Sequence, residues 1–458
     1  MRFLIAFSLL LCANFIYSAE YSVSITLKGY SNQKIYLLKV FGDKVRYKDS
    51  LLTNVNGEAV AQFNDKDIVG MYKFVFGNEN NIEFIFNKED IKIRTSAQDP
   101  LRNIEIITSR ENKLYYTFLS KQALFKRKLD LLTALVDGYP QNEPFYKTSF
   151  VEFERERTAY NHFVDSIVLL GSNSFASKLI NAKREIYVSP SLTAPLRNEY
   201  IKKHYFDNIN FADTSFFYTD VFTHKAISYL GLWASRNTNP EMVELQLKKA
   251  LDTIIAKTIP HPATFDFMIE YLIGGFESMQ YNNLVQYLAD VYSNTNSCEG
   301  EGEKKNVERK VLYHKKLAIG KQAPNFSVKT IDDKTLQLTD FNNQYLILYI
   351  WATHCSHCQE SMPDMYKLSK FVQKDKVAIV TISVDKKKTD VSNFFKAKAI
   401  IDLPTVCDEL SWDGKLINDY NIYATPTIIV IKDQKIVFKP MEVSQLAEFL
   451  QSKGLVNF

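Results

Sequence analysis

The segment Trp351-Ala-Thr-His-Cys355-Ser-His-Cys358 constrains this chain more than any other. It follows the apolar run Leu346 to Ile350 and precedes a helical pattern, so the spacing predicts a strand ending at Trp351 and a helix whose first turn holds Cys355. Unpaired backbone N–H groups and the positive end of the helix dipole favour thiolate over thiol at such a position. Cys358 lies one turn inward, close enough to form a disulfide with Cys355. Two thiols so placed form a redox couple. A static disulfide closing so short a loop at a helix start would be a poor staple and a good switch.

Other chemistries fit the motif less well. A zinc site built from CxxC recruits a second Cys/His pair, whereas Cys298 and Cys407 stand alone; His354 and His357 are the only added candidate ligands nearby. Covalent haem attachment needs His directly after the second cysteine, and Gln359 stands there. No metal and no cofactor is therefore expected.

From Leu317 to Phe458 the sequence resembles the thioredoxin-like domain of the TlpA/ResA group of thiol-disulfide oxidoreductases. Ile319-Gly-Lys-Gln-Ala-Pro324-Asn-Phe326 is similar to that group's opening, Leu338-Thr-Asp340-Phe341 with Tyr345 to Trp351 to its approach to the cysteines, and Pro363 to its helix proline. Tyr423-Ala-Thr425-Pro426 followed by Thr427 to Ile431 resembles the strand entry where the group places a cis-proline facing the cysteines. The resemblance implies catalytic Cys355 and Cys358 with a redox-active disulfide between them, Trp351 packed beside the couple, and a substrate groove lined by Thr425 and Pro426. Strand-like runs at Phe326 to Lys329, Leu346 to Trp351, Val377 to Val384, Thr427 to Ile431 and Lys435 to Phe438 independently argue for an α/β sheet, with Asp433-Gln434 as a tight hairpin turn.

The chain departs from the group at the proton-transfer positions. Thioredoxins carry a buried acid two residues before the tryptophan, and here that residue is Tyr349; many TlpA/ResA relatives carry a glutamate where this chain has Ser361. Glu360 is adjacent but rotated by about 100° on a helix. His357, just before the second cysteine, is expected to stabilise the Cys355 thiolate and with it the reduced form, making the disulfide more oxidising; a solvated ring without consequence is the competing reading.

Met1-Arg2, the apolar run Phe3 to Tyr17 and Ser18-Ala19 read as a secretory signal peptide, too short to span a bilayer. This predicts export across the inner membrane to the periplasm or cell envelope. Leu11 before Cys12 is not the small residue lipoprotein processing prefers, so lipidation is not expected. Cys298 and Cys407 are expected as independent free thiols.

The 458 residues suit several domains. After the leader at 1–19, residues 20–108 alternate short β segments with turns such as Asn54-Val-Asn-Gly57, predicting a small antiparallel sandwich or barrel. In pattern this part resembles the β domain of unknown function found ahead of TlpA-like domains in secreted Gram-negative proteins. Residues 109–313 predict an all-α region with helices at Leu114 to Val136, Tyr146 to Leu170, Thr214 to Ala234, Pro240 to Thr258 and Pro262 to Phe276, and a polar linker at 293–306. Its many aromatics recur at core spacing. Residues 317–458 form the α/β thioredoxin-like part.

A net charge of +4 without basic clusters interleaved with aromatics argues against nucleic acid. The leading expectation is an exported thiol-disulfide oxidoreductase that reduces protein disulfides, supplied with electrons by a membrane partner. Oxidation or isomerisation is the alternative direction. A thiol peroxidase is a further alternative, weakened by Ala352 and Leu348 where that class carries Thr or Ser and Pro. In a non-enzymatic reading the β and helical segments bind a ligand or partner.

Overall fold

The computed structural model describes residues 20–456 except 79, 235–238, 296–305 and 343. The predicted leader with Cys12, Cys298 and most of the polar linker lie outside the described residues. Two compact units divide the chain, Met1–Phe265 and Asp266–Phe458.

The first unit begins with strands β1 (Glu20–Lys28), β2 (Lys34–Phe41), β3 (Lys44–Leu52), β4 (Glu58–Asn64), β5 (Gly70–Phe76), β6 (Asn80–Phe86), β7 (Ile91–Ser96) and β8 (Glu105–Thr108). They form two four-stranded sheets of order β4-β1-β7-β8 and β3-β2-β5-β6. Pairing is antiparallel except between β1 and β7, which run parallel because the chain traverses the other sheet between them. The inner faces meet in one core, where Val23, Ile25 and Phe63 of one sheet pack with Leu37, Phe74 and Phe84 of the other, as in a sandwich. Gly57 ends the turn before β4 at φ +75°, and a Cβ there would lie 2.2 Å from the Leu27 carbonyl oxygen, so the Asn54 to Gly57 turn requires glycine.

Helices follow: α1 (Arg110–Gly138), α2 (Pro144–Leu170), α3 (Phe175–Ala182), α4 (Ala194–His204), α5 (Val221–Trp233) and α6 (Pro240–Thr258). The single helix predicted from Thr214 to Ala234 is two elements, a 3-10 turn at Thr214–Tyr218 and then α5. The break falls at Thr219, whose hydroxyl donates to the Phe216 carbonyl and accepts the Val221 N–H, replacing helical bonds.

Asn112 ties the helices to the sandwich. Fully buried on α1, its amide accepts the Ile85 N–H at 2.8 Å and donates to the Ile85 carbonyl at 2.7 Å, satisfying both groups of a strand residue with no such pairing on that side.

The second unit contains most of α7 (Pro262–Ser278), then α8 (Asn282–Thr295), α9 (Asn306–Lys316), the short hairpin β9 (Ser327–Lys329) and β10 (Thr335–Gln337), β11 (Tyr345–Trp351), α10 (Ser356–Phe371), β12 (Val377–Ser383), α11 (Lys388–Ala397), β13 (Thr405–Val406), α12 (Lys415–Asp419), β14 (Thr427–Lys432), β15 (Lys435–Phe438) and α13 (Val443–Ser452). Ser293 to Thr295, read as linker, close α8.

The main sheet has order β13-β12-β11-β14-β15, with β11 parallel to β12 and antiparallel to β14. Central β11 is buried on both faces, hence its continuous apolar sequence. Its side chains alternate: Ile347, Tyr349 and Trp351 enter the core that holds Cys358, Met362 and Met365 of α10, while Leu346, Leu348 and Ile350 pack with Leu317, Phe326 and Tyr420 on the other face. Asp433 and Gln434 both take positive φ in the β14–β15 turn, as a tight hairpin demands. Among the described residues no helix is long and apolar enough to cross a membrane.

Replacing Asn112 with Ala leaves the Ile85 N–H and carbonyl buried without partners. At about 1–3 kcal/mol for each of the two orphaned groups, Asn112→Ala should destabilise the first unit by about 2–6 kcal/mol, read as a lower urea midpoint with unchanged slope.

Candidate active site

Strand β11 ends at Trp351, and after a short turn Cys355 stands at the N-cap of α10. The Cys355 Sγ accepts the Cys358 N–H at 3.4 Å, so the sulfur itself caps the helix and meets the donors that carry the helix's positive end. Cys355 is partly exposed and Cys358 is fully buried, both as thiols.

Across from them the Thr425–Pro426 peptide is cis, and Cys355 Sγ lies 3.4 Å from the Thr425 carbonyl oxygen, to which the thiol donates. Residues 70 positions apart in sequence thereby face one another.

Burial acts against ionisation of Cys355. It is outweighed by the Cys358 thiol, the Cys358 N–H, the Thr425 side chain and the His357 backbone N–H, which together hold the Cys355 thiol below its ordinary range. Burial, reinforced by the neighbouring Cys355, pushes Cys358 up to about 12. One sulfur is thus favoured as thiolate while the other keeps its proton.

His357 is exposed, and it is its backbone N–H that contributes at Cys355. Trp351 is fully buried on the α10 side of the sheet, its indole stacked on Phe395 at 5.5 Å and 3°. Cys407 is buried, with its thiol 3.4 Å from the Asp385 carbonyl oxygen.

The two departures at Tyr349 and Ser361 prove to be one feature. Their hydroxyls lie 2.7 Å apart, and Ser361 spends its proton on the His357 carbonyl at 2.7 Å, so Tyr349 must donate to Ser361. Burial pushes the Tyr349 phenol up, and the charges of Cys358 and Cys355 push it the same way. A neutral chain of hydroxyls therefore stands beside Cys358 where relatives carry carboxylates.

Two further polar anchors were not read from the sequence. Buried Asp385, just past β12, accepts from the Thr353 N–H at 2.9 Å, the Thr353 hydroxyl at 2.7 Å and the Ser383 hydroxyl at 2.6 Å, and lies 3.3 Å from His354 Nδ1. It fixes the turn that presents Cys355. Its only sequence signal was an acid closing an apolar strand.

The second anchor holds the cis-proline segment. Tyr423 donates to the Glu277 carboxylate of α7, with 2.7 and 2.8 Å to its two oxygens. His314 Nε2 of α9 lies 3.4 Å and Lys310 Nζ 3.9 Å from the same carboxylate. Burial works against the Glu277 charge, but the bonds from His314 and Tyr423 and the charge of Lys310 outweigh it and keep the acid ionised. The Tyr423–Glu277 contact joins residues 146 positions apart, which no local pattern reveals.

The thiol assignments are measurable. The pH profile of iodoacetamide alkylation should show Cys355 reacting as a thiolate below the ordinary thiol range and Cys358 resisting until about pH 12. Cys358→Ala, which removes the thiol donor, should raise the Cys355 profile; an unmoved profile would show that the Cys358 side chain has no part in it.

The profile of the AhpC/TSA family matches residues 319–439. Among curated proteins, the chain is 31% identical over 140 residues to the thiol-disulfide oxidoreductase ResA of Bacillus thuringiensis, a match covering 30% of this chain and 79% of that one. It is 33% identical over 143 residues to the thioredoxin-like protein YneN of Bacillus subtilis, covering 30% and 79%. Among solved structures, a thioredoxin-like protein from Bacteroides caccae aligns over 58% of this chain and 97% of its own at 19% identity and TM-score 0.39. The thioredoxin domain of a thiol-disulfide oxidoreductase from Bacteroides vulgatus aligns over 31% and 99% at 22% identity and TM-score 0.28. With 79% of a ResA protein matched at 31% identity, the chain belongs to the ResA family of thioredoxin-like thiol-disulfide oxidoreductases.

Proposed function

We propose that this chain reduces protein disulfides through the Cys355–Cys358 couple in the cell envelope. The observation that carries the reading is the split between the sulfurs: an accessible Cys355 favoured as thiolate beside a buried Cys358 kept protonated. The Cys355 thiolate attacks one sulfur of a substrate disulfide; a Cys355–substrate bond forms, the substrate S–S bond breaks, and the departing substrate thiolate takes up a proton. Cys358 then loses its proton and attacks Cys355 Sγ, releasing the second substrate sulfur, which is protonated in turn. Two electrons have passed to the substrate and the couple is a disulfide, which a membrane-bound dithiol donor must reduce before the next cycle.

Thr425 and Pro426 would line the groove that receives the substrate, and Trp351 would support the couple from the core. The hydroxyl pair Tyr349–Ser361 would stand in for the missing carboxylates as Cys358 gives up its proton. Residues Met1 to Ala19, with their short apolar run, support export.

The lowered Cys355 also makes oxidation or isomerisation chemically open, because a stabilised thiolate stabilises the reduced couple. The potential decides between them. Equilibrated against dithiothreitol and glutathione, the couple should fall near the roughly −270 mV of thioredoxin; a value near the roughly −120 mV of a strong oxidant would reverse the proposed direction. Cys355→Ser should abolish reduction of insulin, and Cys358→Ser should accumulate a Cys355-linked mixed disulfide visible on non-reducing gels. Wild-type turnover by Cys355→Ser would sink the mechanism.

A further inference from the structure

A pocket of about 160 Å³ opens beside the cis-proline, lined by Tyr423, Ala424 and Pro426 together with Glu277, His314 and Lys439. Its charges are unevenly spent. Glu277 is already engaged by Tyr423 at both oxygens, by His314 and by Lys310. Burial keeps His314 below its ordinary range despite that carboxylate, which favours the neutral ring. Tyr313, fully enclosed, stays a phenol.

Lys439 is different. Its ammonium lies 4.2 Å from the centre of the Tyr313 ring, and among the described residues no carboxylate comes within 4 Å of it. A face-on aromatic ring compensates only part of the hydration an ammonium gives up. Burial accordingly pulls Lys439 down to about 8, with the more distant Glu277 only partly restoring it. The pocket therefore holds one cation more than its carboxylate balances, next to the backbone that faces Cys355.

We propose that this pocket is an acidic subsite of the substrate groove, in which Lys439 takes the carboxylate of an Asp or Glu near the disulfide under attack. The proposal rests on the disulfide-reductase reading and names the substrate class it selects. An incoming carboxylate completes the pairing that the fold leaves open, and charge-assisted hydrogen bonds of this kind are among the stronger polar contacts. The short glutamate stem suits the small volume, and Tyr423, anchored on Glu277, packs against the Tyr313 ring over which Lys439 sits. The surrounding phenols add no competing charge.

The experiment uses the full chain, pre-reduced, and peptide disulfides that carry Glu or Gln at each of the two positions before and after the attacked cysteine. The second-order rate constant for oxidation of the protein dithiol is measured for each. At one of those positions Glu should react about tenfold faster than Gln, the factor that corresponds to about 1.4 kcal/mol. The ratio should fall to about one in Lys439→Met, which keeps the aliphatic stem on Tyr313, and survive in Lys439→Arg. Because each variant is compared with itself on paired peptides, a general loss of folding or reactivity cancels. A Glu-to-Gln ratio near one at every position in the wild type, or a ratio unchanged in Lys439→Met, overturns the subsite while leaving disulfide reduction intact. Failure to reduce either peptide, with insulin also untouched, removes the reductase reading and the subsite with it.

Discussion

The contact on which the site depends is the one between Cys355 Sγ and the N–H of Cys358. It makes a sulfur the cap of α10, so the same atom satisfies the helix start and is held toward the thiolate. A hydroxyl cap would satisfy the helix equally well and could not be oxidised. Everything else around the site holds that atom in place. Asp385 fixes the preceding turn, Ile347, Tyr349 and Trp351 of β11 seat Cys358 of α10 in the core, and the Thr425 carbonyl closes the space opposite.

Neutral groups take the place of acids at the buried sulfur. A carboxylate beside Cys358 would titrate together with it, and the pair would exchange protons over a shared range. The Tyr349–Ser361 hydroxyls, already bonded to each other and to the His357 carbonyl, carry no charge into the core. They cost little to bury, because each donor has an acceptor. Charge is instead concentrated on the far side of the cis-proline, where Glu277 is fully engaged and Lys439 is not.

The contribution of α7 and α9 to that side changes how the redox part of the chain is seen. A boundary at about Leu317 separates the thioredoxin-like sequence from what precedes it, yet Glu277 and His314 meet Tyr423, three residues before Pro426. Helices outside the family resemblance thus furnish a wall of the pocket next to the reactive groove.

Much of this protein was legible along the chain. The strands at 345–351, 377–383, 427–432 and 435–438 announce themselves by apolar runs, α6 by a proline start and regular spacing, and the cysteines by their place between strand and helix. Elements without such periodicity escaped: β3 keeps its residues largely exposed, and α4 buries none of its side chains, so neither carries a hydrophobic stripe. The break at Thr219 escaped because a local hydroxyl bond, not a polarity pattern, ends the helical turn. The sequence by itself determined the fold class and the presence of a dithiol, because both follow from interactions between near neighbours. The partners of those thiols, the hydroxyl pair, Asp385 on the Thr353 turn and the Glu277–Tyr423 anchor were decided only by tertiary structure, because each joins residues whose separation in the chain says nothing of their distance in space.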